Sequence, residues 1–174
     1  MPWLEKQVSC QALDFCKKRR QPKSGALLEQ EISRYADEIL SEVRVRNQIK
    51  LLKECYDADL KEKKVLEIGS GYATFLIGAR LWEGINALGT EPARFQCDNL
   101  KLPKNILRAG GVEESIFFGA QGEQLPFRDG FLDVTYSHNA LEHVDDPEKV
   151  LSEAFIILKP GGKMVIIAPN YFTF

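Results

Sequence analysis

Short apolar runs alternate with helical patterns from about residue 62 to the end of the chain. The clearest run, Lys64 to Ile68, has the length and branched side chains of a strand buried on both faces. The predicted strands are 64–68, 86–90, 115–118, 132–136 and 163–168. The predicted helices are about 72–82, a segment after residue 92 that breaks at Pro103 and resumes at 104–109, and 147–158, which a turn at 159–162 stops. Strands and helices in this alternation predict a doubly wound α/β sheet.

The first 60 residues carry a different pattern, which predicts an N-terminal helical segment at 1–60 ahead of an α/β domain at 61–174. Residues 1–24 favour a short amphipathic helix. It runs into the basic residues 17–20, which either compensate a helix dipole or form a patch for an anionic substrate or membrane surface. An apolar stripe predicts one long or broken helix from about 26 to 57. Because this stripe needs a partner surface, we expect a lid or flank over the ligand crevice of the α/β domain.

Composition and charge narrow the class of protein. With 174 residues, 44% of them hydrophobic and 28% charged, the chain resembles ordinary soluble domains with a buried core. Its formal net charge of −2 argues against a general nucleic-acid binder. No apolar run approaches the roughly 18 residues of a membrane span, and we expect no such span. The four cysteines form no C-x-x-C pair, so we expect free thiols and a cytoplasmic location.

A glycine turn follows the first predicted strand and opens directly into a helical pattern. Gly69 and Gly71 let a ligand approach the backbone closely, and the start of the helix offers free N–H groups. A dinucleotide site has Gly or Ala at the sixth position of this motif, where the chain has Thr74. Glu67 would repel a pyrophosphate but attract the ammonium of S-adenosylmethionine (SAM), which carries no phosphate. On charge grounds the turn favours SAM over NAD.

Other polar residues follow the remaining predicted strands. Ligands of doubly wound sheets bind beyond the carboxyl ends of the strands, so these residues are expected to lie near the glycine turn. Glu91 comes 20 residues after Gly71, the offset at which a carboxylate can take both ribose hydroxyls, in NAD and SAM alike. Residues 121–123 follow the third strand and residues 137–143 follow the fourth.

Five motifs occur together in the order and spacing of one family. They are VLEIGSG at 65–71, GTEP at 89–92, EQLPF at 123–127, LEHV at 141–144, and LKPGG at 158–162 with Pro169 and Asn170. On these motifs residues 64–170 resemble a class I SAM-dependent methyltransferase. The group is methyltransferase type 11, related to the methyltransferases of ubiquinone and menaquinone biosynthesis.

This resemblance implies a Rossmann-like sheet with strand order 3-2-1-4-5, SAM as cofactor and S-adenosylhomocysteine as product. It implies that Glu67 and the 69–71 backbone hold the methionine part and that Glu91 holds the ribose. The segment 121–123 would lie along the adenine, and the segment after the fourth strand would face the sulfonium. The expected cofactor-binding residues are Glu67, Gly69, Ser70, Gly71, Tyr72, Glu91, Pro92, Gln121, Gly122, Glu123, Ser137, His138 and Asn139.

The chain departs from the family pattern at three points. Ala73 replaces the third glycine of the first motif, and Gln121 replaces the acidic residue that usually precedes the adenine contacts, although its carbonyl can still accept a hydrogen bond. The family's sheet has seven strands, and the sequence ends at Phe174, just after the fifth, so the final hairpin is expected to be absent. An exposed apolar edge strand is normally avoided. Either the sequence is therefore a piece of a longer chain, or a second copy of the chain, another partner or the N-terminal helices cover strand 5.

Both histidines follow the fourth predicted strand. His138 either takes the proton of a methyl acceptor or only shapes the pocket, and His143 either orients the loop or acts on substrate. Asn139, Glu142 and His143 have the spacing of a metal site in some related enzymes, but Asn139 stands where those enzymes have Glu, so no metal is expected.

The function predicted from these features is SAM-dependent methyl transfer to a small-molecule acceptor. The alternative is a SAM-binding subunit without catalysis, which the expected absence of the final hairpin suggests.

Overall fold

The structure is a computed structural model that describes residues 41–56, 60–93 and 100–169. The predicted helix at 1–24 with its basic run, the first part of the helix predicted from about 26, and Asn170 of the last motif lie outside the described residues. In order, the main elements are α1 (Glu42–Tyr56), β1 (Lys64–Ile68), α2 (Thr74–Glu83), β2 (Asn86–Glu91), α3 (Lys101–Ala109), β3 (Phe117–Gly119), β4 (Leu132–His138), α4 (Pro147–Ile156) and β5 (Leu158–Ile167).

The five strands form one parallel sheet in the order β3-β2-β1-β4-β5. This arrangement confirms the predicted fold class and the strand order that the family resemblance implied. Because the order reverses between β1 and β4, the crevice beyond their carboxyl ends is the expected ligand position. Among the described residues, β5 forms one edge of the sheet. The partner expected along that edge stays a prediction.

Two hydrophobic clusters cover the two faces of the sheet. On one face, Val65 of β1 and Phe75 of α2 pack with Val45, Ile49 and Leu52 of α1. The other face holds Leu66, Ile68, Val150 and Ala154, so α4 covers it. Side chains alternate between faces along a strand, and this places Val65 and Glu67 on the side of α1 and α2.

Helix α1 thus shares its core with the sheet. The boundary predicted at residue 60 and the role of a lid or flank stay predictions. None of the helices in the described ranges is both long and apolar enough to cross a membrane. The cytoplasmic location stays a prediction as well.

The first turns of α3 and α4 each contain a proline. Asp146 caps α4 by accepting a hydrogen bond from the Lys149 N–H at 3.0 Å, and Pro147 occupies the first turn. The break predicted at Pro103 is wrong, because Pro103 is the third residue of α3. In the first turn of a helix no N–H is needed for an intrahelical bond, so proline is tolerated there.

The third and fourth strands differ from their predicted bounds. Residues 114–116 form a 3₁₀ turn that buries Ile116, and β3 therefore begins at Phe117 rather than at Ser115. Strand β4 continues two residues further than predicted, because Ser137 and His138 pair with Ile166 and Ile167 of β5. The sequence analysis placed both residues after the strand.

Strand β5 contains an excursion where the sequence predicted only a turn. Leu158 pairs with Leu132, and the next paired residues are Lys163 and Val134, so residues 159–162 lie opposite the single residue Asp133. The Asp133 carboxylate accepts hydrogen bonds from the Lys64 N–H at 2.9 Å and from Lys159 Nζ at 2.8 Å. These bonds join the start of β1, the start of β4 and the excursion.

Candidate active site

The glycine turn after β1 is tied to the end of β2. The backbone N–H groups of Gly69 and Ser70 both donate to the Thr90 carbonyl, at 3.0 and 2.9 Å. The Ser70 hydroxyl donates to the Glu67 carbonyl at 3.0 Å, and the Ala73 N–H donates to the Ser70 carbonyl at 2.8 Å. These bonds fix the turn between the two strands.

Gly69 and Gly71 have left-handed backbones but differ in what surrounds them. Gly69 has φ +77°, and a Cβ added there would collide with the Ala140 side chain, so the turn packs tightly against the loop after β4. Gly71 has φ +52°, and a Cβ added there would meet no atom within 4 Å. The space over Gly71 is therefore open to a ligand.

Glu67 is a buried carboxylate beside this turn. Its side chain is 5% exposed, and its Oε2 has no hydrogen-bond partner among the described residues. Burial raises the pKa of Glu67 from 4.5 to about 8, the negative Glu91 adds to the rise, and Ser70 and Arg44 oppose it. Because a buried polar atom without a partner is costly, this oxygen suits a donor that a ligand supplies.

Glu91, the last residue of β2, is a second buried carboxylate in the crevice. Its Oε2 accepts the Gly71 N–H at 2.8 Å. Burial raises the pKa of Glu91 from 4.5 to about 7, although the bond from Gly71 opposes the rise. The Glu91 carboxylate thus lies against the glycine turn, and its predicted contact with the ribose hydroxyls stays a prediction.

Helix α1 covers the same side of the sheet with polar groups. Gln48 Nε2 lies 2.9 Å from His138 Nδ1, and Arg44, one turn earlier, is close enough to influence Glu67, Tyr136 and His138 electrostatically. Tyr136 pairs with Glu67 in the sheet register, and its buried hydroxyl has no partner among the described residues. The sequence analysis did not single out Arg44, Gln48 or Tyr136.

His138 ends β4 within this group. Its ring lies nearly parallel to that of Tyr136, with an interplanar angle of 11° and centroids 6.4 Å apart. Burial lowers the pKa of His138, Arg44 lowers it further, and Glu142 opposes the change. The imidazole is therefore neutral near pH 7 and is a weaker base than a solvent-exposed histidine.

The segment predicted to line the adenine has mixed surroundings. Gly122 is buried against Val150 and Ile68, whereas Gln121 is exposed. Glu123 Oε1 accepts the N–H groups of Asp145 and Asp146, at 3.0 and 3.3 Å, and so holds the loop that leads into α4. Contact with adenine stays a prediction for these residues.

The remaining predicted residues lie around the same strand ends. Tyr72 is buried, Pro92 is half-buried, and Ser137 is buried with a hydroxyl that has no partner in the described part of the chain. Asn139 is exposed in a left-handed conformation, φ +53°, and its N–H donates to the Ile167 carbonyl at 2.8 Å. Within the described ranges, no three His, Cys, Asp or Glu side chains are grouped as metal ligands would be.

Comparison with known proteins agrees with this fold and layout. A family model described as a methyltransferase domain matches residues 66–166, more than half of the chain. The norajmaline N-methyltransferase of Rauvolfia serpentina is 29% identical over 113 residues, which cover 64% of this chain and 38% of that protein. The chain thus spans about two fifths of the length of that relative and of similar ones.

Solved structures show the same fold at lower identity. A SAM-dependent methyltransferase from Aquifex aeolicus has a TM-score of 0.57 at 16% identity, over 75% of this chain and 65% of that one. The [4+2]-cyclase SpnF has a TM-score of 0.57 at 20% identity, over 76% of this chain and 45% of that one. A cyclase with this fold illustrates that fold alone does not fix a reaction.

None of these comparisons supports the alternative of a non-catalytic subunit. The family match runs from Leu66 in β1 to Ile166 in β5, and the strand order is the one that the family resemblance implied. The chain therefore belongs to the class I SAM-dependent methyltransferases.

Proposed function

We propose that this chain binds SAM in the crevice beyond β1, β2 and β4 and transfers its methyl group to a small-molecule acceptor. The observation that carries the proposal is the buried Oε2 of Glu67, which has no partner among the described residues, on the strand that leads into the turn with the open space over Gly71. An ammonium placed there would satisfy the orphan oxygen, and the ligand's cation would favour the ionised carboxylate. A pyrophosphate in the same place would offer no donor to this oxygen and would be repelled by the ionised carboxylate.

The surrounding residues suit the rest of the cofactor. Arg44 offers a positive charge near Glu67, so the pair matches the ammonium and carboxylate of an amino acid. Glu91 lies at the end of the neighbouring strand, where its carboxylate contacts the glycine turn through the Gly71 N–H. This carboxylate can accept hydrogen bonds from ribose hydroxyls. Gly122 is buried beside Val150 and Ile68, and we place the adenine along the segment that contains it. Tyr72, Pro92, Ser137 and Asn139 border this path.

When bound, SAM would supply a methyl carbon attached to a positively charged sulfur. A lone pair of the acceptor would attack this carbon in line, and the sulfur would leave with the carbon–sulfur electrons as S-adenosylhomocysteine. The chain's own contribution is to hold the acceptor close to that carbon and away from water. His138 is neutral and lies beside the crevice, so we assign it the proton that an acceptor loses. No membrane and no nucleic acid is needed in this scheme.

Calorimetry tests cofactor binding. Glu91→Ala should weaken the binding of SAM and of S-adenosylhomocysteine at least tenfold, which corresponds to about 1.4 kcal/mol or more. The matched control is Glu62→Ala, since Glu62 is exposed and precedes β1 at its amino end. Equal affinity in wild type and Glu91→Ala, or no binding of either ligand to the wild type, would contradict the proposed site.

Transfer is tested separately with SAM that carries a tritiated methyl group. Incubation with a small-molecule extract should move the label to products that chromatography separates from SAM. Binding of SAM without any transfer, across extracts that contain alcohols, phenols and amines, would count against catalysis and favour a SAM-binding subunit.

A further inference from the structure

Gln48 of α1 contacts His138 of β4 although the two residues lie 90 positions apart in the sequence. The Gln48 side chain is 9% exposed, and its neighbours Val45, Ile49 and Leu52 belong to the hydrophobic core. Core packing of α1 therefore holds the amide in place, 2.9 Å from His138 Nδ1. A buried amide in an apolar stripe is costly without a partner, and the imidazole provides that partner.

The charged groups around His138 do not make this contact themselves. Arg44 approaches from α1 and Glu142 from the 3₁₀ turn after β4, and both act on His138 through their charge. Tyr136 stacks beside the ring. On β5 the residue paired with His138 is the apolar Ile167. Among the described residues, Gln48 is the side chain that forms a hydrogen bond with the imidazole.

An amide can bind either form of a neutral imidazole. With the Gln48 nitrogen facing Nδ1, as in the structure, Nδ1 accepts and the ring proton lies on Nε2. After a half-turn of the amide, the oxygen accepts from an Nδ1–H and leaves a lone pair on Nε2. The imidazolium has protons on both nitrogens and likewise needs the amide oxygen.

We propose that Gln48 is a positioning residue whose amide orientation sets the tautomer of His138 and so controls whether Nε2 can take a proton. The inference rests on the proposed function, in which an acceptor loses a proton to His138. For this step the ring first takes the Nδ1–H form, its Nε2 proton being lost to solvent and Nδ1 being protonated in its place, and Nδ1–H then donates to the Gln48 oxygen. The proton of the attacking atom passes to the free lone pair of Nε2 and leaves an imidazolium. The acceptor class is a molecule whose attacking atom carries an ionisable proton, such as a hydroxyl or a protonated amine.

The test is ¹⁵N–¹H NMR of the full chain with ¹⁵N-labelled histidine, which reports the protonation of each ring nitrogen. The chain has two histidines, His138 and His143, so the spectrum is simple to assign. Wild type without cofactor at pH 8 should show the Nε2–H tautomer at His138. Gln48→Glu offers only acceptor oxygens, so His138 should change to the Nδ1–H tautomer and its pKa should rise by about one to two units. Gln48→Met keeps the side-chain length without a hydrogen bond and should give a mixture of tautomers without that rise.

His143 is exposed and serves as the internal reference, because its signals should stay the same in all three proteins. The same tautomer and pKa of His138 in wild type, Gln48→Glu and Gln48→Met would overturn the proposal. SAM calorimetry on the same samples keeps the two hypotheses apart. If the wild type does not bind SAM, the proposed function is refuted. The NMR signals are measured without SAM, so they test the Gln48–His138 contact whatever the outcome of the calorimetry.

Discussion

Glu91→Gln should make the cofactor-free protein more stable at pH 8, although it removes a charge from the proposed binding site. In the folded chain the pKa of Glu91 is raised by burial from 4.5 to about 7. Between these two values the folded state keeps a proton that the unfolded state has released, so the free energy of unfolding falls as pH rises. The loss is about 1.4 kcal/mol per pH unit, and it reaches about 3 kcal/mol above pH 7.

Glutamine has the same shape and cannot ionise, so the variant avoids this loss. Its side-chain oxygen can still accept the Gly71 N–H that Glu91 accepts in the wild type. We therefore expect nearly equal stability at pH 4.5 and a variant that is more stable by about 3 kcal/mol at pH 8. The other titrating groups are shared by the two proteins. Among them Glu67 loses the negative neighbour that helps to raise its pKa, which adds to the advantage of the variant at pH 8.

Urea unfolding, followed by circular dichroism at several pH values between 4.5 and 8, measures this difference. The exposed Glu62→Gln is the control and should follow the wild type throughout. The burial argument fails if the stabilities of wild type and Glu91→Gln run parallel across this pH range, or if the variant is the less stable at pH 8.

Two further predictions concern the turn and the strand excursion. Gly71→Ala places a methyl group in the open space and should weaken SAM binding at least tenfold, whereas its left-handed backbone costs only about 1–2 kcal/mol of stability. Gly69→Ala adds a collision with Ala140 to the same backbone strain and should lower stability more in urea unfolding; equal losses would contradict this packing. For Asp133, burial alone would raise the pKa, but the hydrogen bonds from Lys159 and the Lys64 backbone hold it below its usual range. Asp133→Asn should therefore cost about 1–2 kcal/mol above about pH 4, and the gap should close at lower pH; a gap independent of pH would refute it.

The parts of the site that the sequence predicted are local ones. Strand β1 with its glycine turn, and Glu91 at the end of β2, depend on backbone chemistry and on a fixed offset between strands. In the structure the Glu91 carboxylate accepts the Gly71 N–H, so it lies at the strand end where the offset predicts a ribose contact. Local patterns suffice there because parallel neighbours bring their carboxyl ends to one edge of the sheet.

The residues of α1 that cover one side of the crevice could not be predicted in the same way. Whether Arg44 and Gln48 face the crevice depends on how α1 rotates and docks on the sheet, which no short-range pattern encodes. One signal existed, since Gln48 interrupts an apolar stripe in which a polar residue needs a partner. The extra length of β4 likewise arises from pairing with a strand almost thirty positions later in the chain.

The excursion at residues 159–162 separates the pairing of Leu158 from that of Lys163 onward. A shift of one residue in β5 would turn Val165 away from its core face and move Ile167 away from His138. Because the extra residues of β5 are confined to these four positions, the register of Lys163 to Ile167, and with it the wall of the crevice, depends on the excursion keeping its length. The Lys159–Asp133 contact fixes that length by anchoring the excursion to β4.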